Sequence, residues 1–254
     1  MTATRNILVL AGTADARKAI SALATDSRFA ITASLAGVTP SPIALPVPVH
    51  NGGFGGAAGL ADYCKVNAVD LILDITHPFA RHISYNARKA AAAVGIRCLA
   101  YDRPPWPLEA GWKEFDSWED MVAAVPSGER VFLAGGTASI DAFTKRDDLY
   151  LCARALNVEG RVNGAQTHYL NAMPNASIED EAALFEAHSI TLLCCKNSGG
   201  KASSAKLGAA HKLGIPVWML GRHKIDNRSE NIEIFDNLDD LIAVVKSEKE
   251  CQHG

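Results

Sequence analysis

The chain has 254 residues, longer than the usual single domain of about 100 to 150, and its 48% hydrophobic and 21% charged residues exclude an intrinsically disordered protein. A net charge of -3 and a pI near 6.2 leave no global field for nucleic acid or an anionic membrane, so any anionic ligand must be held by a local basic cluster. No apolar run approaches the ~20 residues that span a bilayer, and Met1 to Asn6 leads into Ile7-Leu8-Val9-Leu10 without the pattern of a secretory signal, which points to a cytoplasmic protein. The first strand is Ile7 to Leu10. Ala16, Ala19, Ile20 and Leu23 follow Asp15 at helical spacing, and Phe29 to Leu35 is the second strand. Pro40, Pro42, Pro46 and Pro48 forbid a helix and favour an extended edge around Val47 to Val49, ending in Gly52-Gly53-Phe54-Gly55-Gly56. A helix over Ala57 to Val66, a buried strand over Leu71 to Asp74, a helix from Phe79 to Val94 with Pro78 in its first turn, and a strand over Ile96 to Ala100 complete a first lobe.

Alternation of short apolar runs with helical patterns is the mark of βαβ units, so the chain is read as α/β with parallel sheets flanked by helices. Arg103-Pro104-Pro105-Trp106-Pro107 continues neither a helix nor a central strand, and it places a boundary near Tyr101, dividing the chain into lobes 1–101 and 102–254. The second lobe repeats the grammar. Strands are expected at Val131 to Ala134, Tyr150 to Ala153 and Thr191 to Cys195, with Pro216 to Leu220 the last, and helices at Ser139 to Phe143, Ile178 to His188, Ser203 to Leu213 and Leu238 to Lys246. The six cysteines show neither CxxC nor zinc-finger spacing with His, so they are read as reduced and mostly buried, and no metal is expected.

Ligands of parallel α/β sheets bind outside the carboxyl ends of the strands, which singles out four loops. In Ala11-Gly12-Thr13-Ala14-Asp15-Ala16-Arg17 a glycine lets the backbone approach a phosphate, the free amides of the helix start donate to it, and Arg17 adds charge. The same residues also suit a plain strand-to-helix turn capped by Thr13 or Asp15. Gly53-Phe54-Gly55-Gly56-Ala57-Ala58 satisfies GxGxxA, and equally a flexible glycine loop. Asp74-Ile75-Thr76-His77-Pro78-Phe79-Ala80 gathers a carboxylate, a hydroxyl and an imidazole at one strand end, with Thr76 able to serve as a cap and His77 as a structural group. In Lys196-Asn197-Ser198-Gly199-Gly200-Lys201 a lysine leaves a buried strand, which favours contact with an anionic ligand over a solvated surface charge. Ser34-Leu35-Ala36-Gly37 carries no acid at the end of the second strand, where NAD enzymes hold the ribose, and this favours NADPH.

Together with Arg103-Pro104-Pro105-Trp106, Val131-Phe132-Leu133 before a glycine loop, and Ala205-Lys206-Leu207, these loops resemble the precorrin-6A reductase family from Leu10 to about Arg222. The resemblance implies two Rossmann-like lobes with NADPH and a tetrapyrrole in a cleft between them, and hydride transfer to the C18=C19 bond of precorrin-6A on the route to vitamin B12. It further implies cofactor contacts at Gly12, Thr13, Arg17, Ser34, Gly53, Gly55 and Thr76, and anchors for substrate carboxylates at Arg81, Lys196, Asn197, Ser198, Gly199, Gly200, Lys201 and Lys206. His77 is the first proton donor to test and Tyr101 the second. Val38 stands where the family commonly has Arg, and Arg222-His223 where it has Arg-Pro. Which glycine loop holds the pyrophosphate stays open, as does the oligomeric state, a monomer included. The rival readings are the same reduction on a cobalt-bearing ring and a non-catalytic dinucleotide or tetrapyrrole carrier.

Overall fold

The computed structural model describes residues 4–36, 44–156, 158, 160, 161, 166–222 and 232–247. In chain order the first elements are β1 (Arg5–Leu10), α1 (Ala14–Leu23), β2 (Phe29–Leu35), β3 (Val49–Asn51), α2 (Gly56–Val66), β4 (Leu71–Asp74), α3 (Arg81–Val94) and β5 (Arg97–Tyr101). There follow β6 (Lys113–Phe115), α4 (Trp118–Ala124), β7 (Arg130–Ala134), α5 (Thr137–Phe143), β8 (Tyr150–Arg154), β9 (Thr167–Leu170), α6 (Ile178–Ala187), β10 (Leu192–Lys196), α7 (Ala205–Leu213) and β11 (Val217–Leu220). The chain closes with β12 (Ile232–Phe235) and α8 (Leu238–Ser247).

Two compact units result, one of Met1–Pro104 with Ile225–Gly254, the other of Pro105–Lys224. A single division into 1–101 and 102–254 is therefore corrected: the last stretch belongs to the first unit, because β12 pairs in parallel with β5, Ile232 opposite Cys98 and Phe235 opposite Tyr101. Val217–Leu220 is accordingly not the last strand.

The first unit holds a six-stranded sheet in the order β12-β5-β4-β1-β2-β3, and every pairing is parallel. Its strands are covered on both faces, so successive residues of β1 serve different cores. Ile7 and Val9 pack with Ala16, Ala19, Ile20 and Leu23 of α1 and with Leu238, Leu241 and Val245 of α8. Leu8 and Leu10 pack with Leu60, Ala61 and Cys64 of α2 and with Ala87, Ala90 and Ala91 of α3. Full burial of a side chain such as Ile20 or Leu23 is worth about 1.5 to 3 kcal/mol, so α1 is held mainly by this stripe. α3 begins at Arg81, later than its apolar pattern suggests, because the Phe79 and Ala80 amides donate to Nδ1 and the carbonyl of His77 and form a turn instead.

The second unit has its own six parallel strands in the order β6-β11-β10-β7-β8-β9. Val131 and Leu133 pack against α4 and α5, whereas Phe132 packs against α6 and α7. Cys194 and Cys195, neighbours on β10, fall into opposite cores as their strand position requires. The sixth sheet position is filled by β12 in the first unit and by β6 in the second. The segments there are alike: Phe115-Asp116-Ser117-Trp118-Glu119-Asp120-Met121-Val122-Ala123-Ala124-Val125 and Phe235-Asp236-Asn237-Leu238-Asp239-Asp240-Leu241-Ile242-Ala243-Val244-Val245. Each sheet also reverses its strand order once, between β1 and β4 in the first unit and between β7 and β10 in the second. Such a reversal opens a crevice at the carboxyl ends of the two strands.

Candidate functional site

At the reversal in the first unit, the turns after β1 and β4 are tied together by Thr13. Its hydroxyl accepts the Ala16 amide at 3.0 Å as the cap of α1 and donates to the Ile75 carbonyl at 2.8 Å. Thr13 is buried with both functions of its hydroxyl engaged, so that side chain shapes the turn and leaves ligand contact to the backbone. Gly12 beside it has φ +111, a conformation that disfavours any side chain, and no heavy atom lies within 4 Å of where a Cβ would stand. An exposed backbone thus precedes the first free amides of α1, an arrangement suited to an anion, with Arg17 half-buried one turn further on.

Ser34, the residue before the end of β2, is buried and its carbonyl accepts the Ala11 amide at 2.9 Å. The Gly52–Gly56 loop lies at the end of edge strand β3, where Gly55, at φ +76, occupies the cap position of α2. His50 stacks on Phe54 at 4.5 Å, and Tyr63 meets both rings edge-on at 5.0 Å, so an aromatic cluster seats this loop. Gly53 and Gly55 therefore flank a built platform, and are not at the Gly12 turn.

On the other side of the reversal, Thr76 donates its hydroxyl proton to Asp74 Oδ1 at 2.6 Å and its amide to the same oxygen at 3.2 Å, while its oxygen lies 3.2 Å from Ser84 Oγ. His77 Nδ1 accepts the Phe79 amide at 3.3 Å, which in the neutral ring puts the proton on Nε2. Tyr101 ends β5, and burial together with the Asp15 carboxylate holds its phenol pKa above the ordinary value, so it stays protonated at neutral pH. Arg103 reaches Asp15 at 2.5 Å with its own side chain largely enclosed. Arg81 is exposed at the first position of α3. Ser84 escapes residue-by-residue reading, and Asp15, Asp74 and Arg103 stand out in sequence without their partners, which only the fold brings together.

The reversal in the second unit carries Gly135-Gly136 after β7 and Lys196 at the end of β10. A Cβ on Gly135 would lie 2.4 Å from both Ser139 Oγ and the Trp118 ring, so the turn admits only glycine there. Lys196 Nζ lies 3.7 Å from the corresponding point on Gly136, and burial lowers the pKa of this half-buried ammonium. Asn197 grips the Trp106 backbone, its Oδ1 accepting the amide at 2.7 Å and its Nδ2 donating to the carbonyl at 3.1 Å. Arg222 Nε donates to the Asn197 carbonyl at 2.8 Å. Ser198 is buried, Gly199 takes φ +68, Gly200 caps a short 3-10 turn over Lys201–Ser203, and Lys201 is exposed.

Lys206 is corrected as a carboxylate anchor. It is 5% exposed, its ammonium donates to the Ser203 carbonyl at 2.5 Å, and it lies 4.6 Å from the Trp106 ring centroid. The side chains of Asn197 and Lys206 thus hold the Trp106 segment in place. Val38 and His223 lie outside the described residues.

The five described cysteines are buried thiols. Burial pushes the Cys64 thiol to about 11 and Cys152 to about 12, which leaves neither as a thiolate nucleophile. Among the described residues no three His, Cys, Asp or Glu side chains gather as a metal site, and no helix is long and apolar enough to cross a membrane.

Two parallel sheets, each with one reversal of strand order and a glycine turn beside it, place the chain among the doubly wound α/β proteins of Rossmann type. The chain belongs to the precorrin-6x reductase CbiJ/CobK family, whose sequence model matches residues 6–246. It is 38% identical to the precorrin-6A reductase of Rhodococcus erythropolis over 89% of this chain and 93% of that protein. Against that of Rhodobacter capsulatus the identity is 36%, covering 87% and 90%. A solved structure of a CobK precorrin-6A reductase superposes with a TM-score of 0.88 at 33% identity, covering 96% of each chain. A more distant relative, the cobalt-precorrin-6A reductase of Priestia megaterium, is 27% identical over 87% of this chain and 91% of that protein.

Proposed function

We propose that the chain catalyses the NADPH-dependent reduction of the C18=C19 bond of precorrin-6A, giving precorrin-6B in cobalamin biosynthesis in the cytoplasm. The observation that carries this reading is the open Gly12 turn at the β1/β4 reversal, in a chain that matches precorrin-6A reductases over most of its length. The absence of a carboxylate at Ser34-Leu35, the end of β2, favours a cofactor with a 2′-phosphate. NADPH, when bound, supplies the hydride.

The protein's own work is to bind, orient and supply a proton. The Gly12-Thr13 backbone and the start of α1 receive the pyrophosphate, with Arg17 adding charge and with Ser34, Gly53 and Gly55 on the adenosine side. Thr76, His77 and Tyr101, at the ends of β4 and β5, face the reacting half. Reduction adds a hydride to one carbon of the double bond and a proton to the other. The His77 imidazole is the first candidate donor and the Tyr101 phenol the second. Arg81, Lys196 and Lys201, with Ser198 and the amides of Gly199 and Gly200, meet the acetate and propionate groups of the macrocycle.

Reduction of the cobalt-bearing ring is the second reading, and the higher identity to the metal-free reductases, 38% against 27%, favours the first. Turnover of precorrin-6A and of its cobalt complex, followed by loss of the nicotinamide absorbance, tests both. Faster consumption with the metal-free ring is expected. Binding of either ring without consumption would instead identify a carrier.

A further inference from the structure

Asp74 is a buried carboxylate at the end of β4 that the proposed chemistry does not use, and its hydrogen bonds have a direction. A carboxylate only accepts, so the 2.6 Å contact takes the single proton of the Thr76 hydroxyl. The 3.2 Å contact between Thr76 Oγ1 and Ser84 Oγ must then run from Ser84 to Thr76. The chain Ser84 to Thr76 to Asp74 is ordered in one sense, leaving Thr76 Oγ1 with one lone pair and no proton to offer. Thr76 can therefore greet a ligand only as an acceptor.

In a doubly wound sheet the end of β2 meets the adenosine ribose, which assigns the far side of the reversal, β4, to the other half of the dinucleotide. We infer that Asp74 is a positioning residue that fixes Thr76 as an acceptor for an N–H or O–H donor of the nicotinamide riboside half of the cofactor. This rests on the NADPH reading above. The carboxamide of nicotinamide and the ribose hydroxyls both supply such a donor, whereas a phosphate oxygen does not.

The test is calorimetric titration of the full chain with NADPH, with adenosine 2′,5′-bisphosphate, which lacks the nicotinamide half, and with the 3-acetylpyridine analogue of NADPH, which lacks the carboxamide N–H. Thr76→Val and Asp74→Ala should each weaken NADPH roughly five- to tenfold, the loss expected for one hydrogen bond, and leave the bisphosphate unchanged. Asp74→Asn keeps an acceptor oxygen for Thr76 and should bind NADPH within about twofold of the parent, a rescue that a bulk packing role would not distinguish. The unchanged bisphosphate affinity certifies the fold of each variant, and Thr76→Val, of nearly the same shape, stands in should Asp74→Ala not fold. If the analogue binds the parent protein more weakly than NADPH and binds Thr76→Val equally, the donor is the carboxamide; if the two nucleotides lose equally on substitution, it is a ribose hydroxyl. Either result supports the inference. Undiminished NADPH binding by Thr76→Val, or equal weakening of NADPH and the bisphosphate, overturns it alone. A parent protein that binds neither nucleotide overturns the functional reading and this inference with it.

Discussion

The Thr13 hydroxyl donates to the Ile75 carbonyl at 2.8 Å, joining two turns that are 62 residues apart in the chain. The same oxygen caps α1 through the Ala16 amide, so one side chain fixes both walls of the crevice at the β1/β4 reversal. Thr13→Val keeps the shape and removes both bonds. It should destabilise the chain by about 1 to 2 kcal/mol, and Thr13→Ser should restore most of this, as read from urea unfolding.

The half-buried Lys196 and the buried Lys206 of the second unit should behave differently. Lys196→Met removes a half-buried ammonium proposed to meet a substrate carboxylate, and KM for precorrin-6A should rise roughly tenfold or more. Lys206→Met replaces a charge already enclosed by Ser203 and Trp106 and should leave that KM nearly unchanged while altering thermal stability. Steady-state kinetics of the two variants side by side would check the distinction, and an equal rise in KM would count against it.

Arg154 and Glu181 form an ion pair at 2.6 Å with side chains 4% and 0% exposed, and Glu181 also accepts the Asn175 amide. Glu181→Ala would leave the Arg154 guanidinium buried without its counter-ion. A loss of about 3 to 5 kcal/mol is expected in chemical denaturation. Removing the exposed Asp239 from its pair with Lys18 should change stability by less than about 1 kcal/mol.

At the amino edge of the same sheet, the Tyr150 hydroxyl lies 2.7 Å from His188 Nδ1, with the His168 ring tilted against His188 at 4.8 Å and Arg130 over the Tyr150 ring. Burial first, then His168 and Arg130, holds the His188 pKa below its ordinary 6.5. The folded chain therefore binds fewer protons than the unfolded one, and stability falls as pH drops through 6.5 toward the lower folded value. His188→Gln should flatten the melting temperature across that window. Thermal unfolding at stepped pH values measures it, and an unchanged slope would remove His188 as the cause.

The buried central strands were the legible part of the fold. Leu71–Asp74 is a short run that the sheet buries throughout, and Phe29–Leu35, a strand rich in apolar residues, buries Ile31, Ala33 and Ser34. Lys113–Phe115, Thr167–Leu170 and Ile232–Phe235 passed unnoticed because edge strands are short and half-exposed, with no unbroken apolar run to mark them. A signal for two of them was present in the related Phe115-Asp116 and Phe235-Asp236 segments, which comparison of the two halves exposes. At the site, loops following strands could be picked out in advance, but not how their groups are engaged. Thr13 and Lys206 carry suitable chemistry for a ligand, yet the fold supplies internal partners for both, and a partner distant in sequence leaves no trace in local pattern.

The proposed reaction passes a hydride from NADPH to the precorrin-6A macrocycle. Incubation with NADPH carrying deuterium at the transferable nicotinamide position, followed by mass spectrometry of the tetrapyrrole, addresses it directly. A reduced macrocycle bearing one deuterium for each nicotinamide oxidised is expected. Oxidation of the cofactor without label in the ring, or an unchanged ring after prolonged incubation, would contradict it.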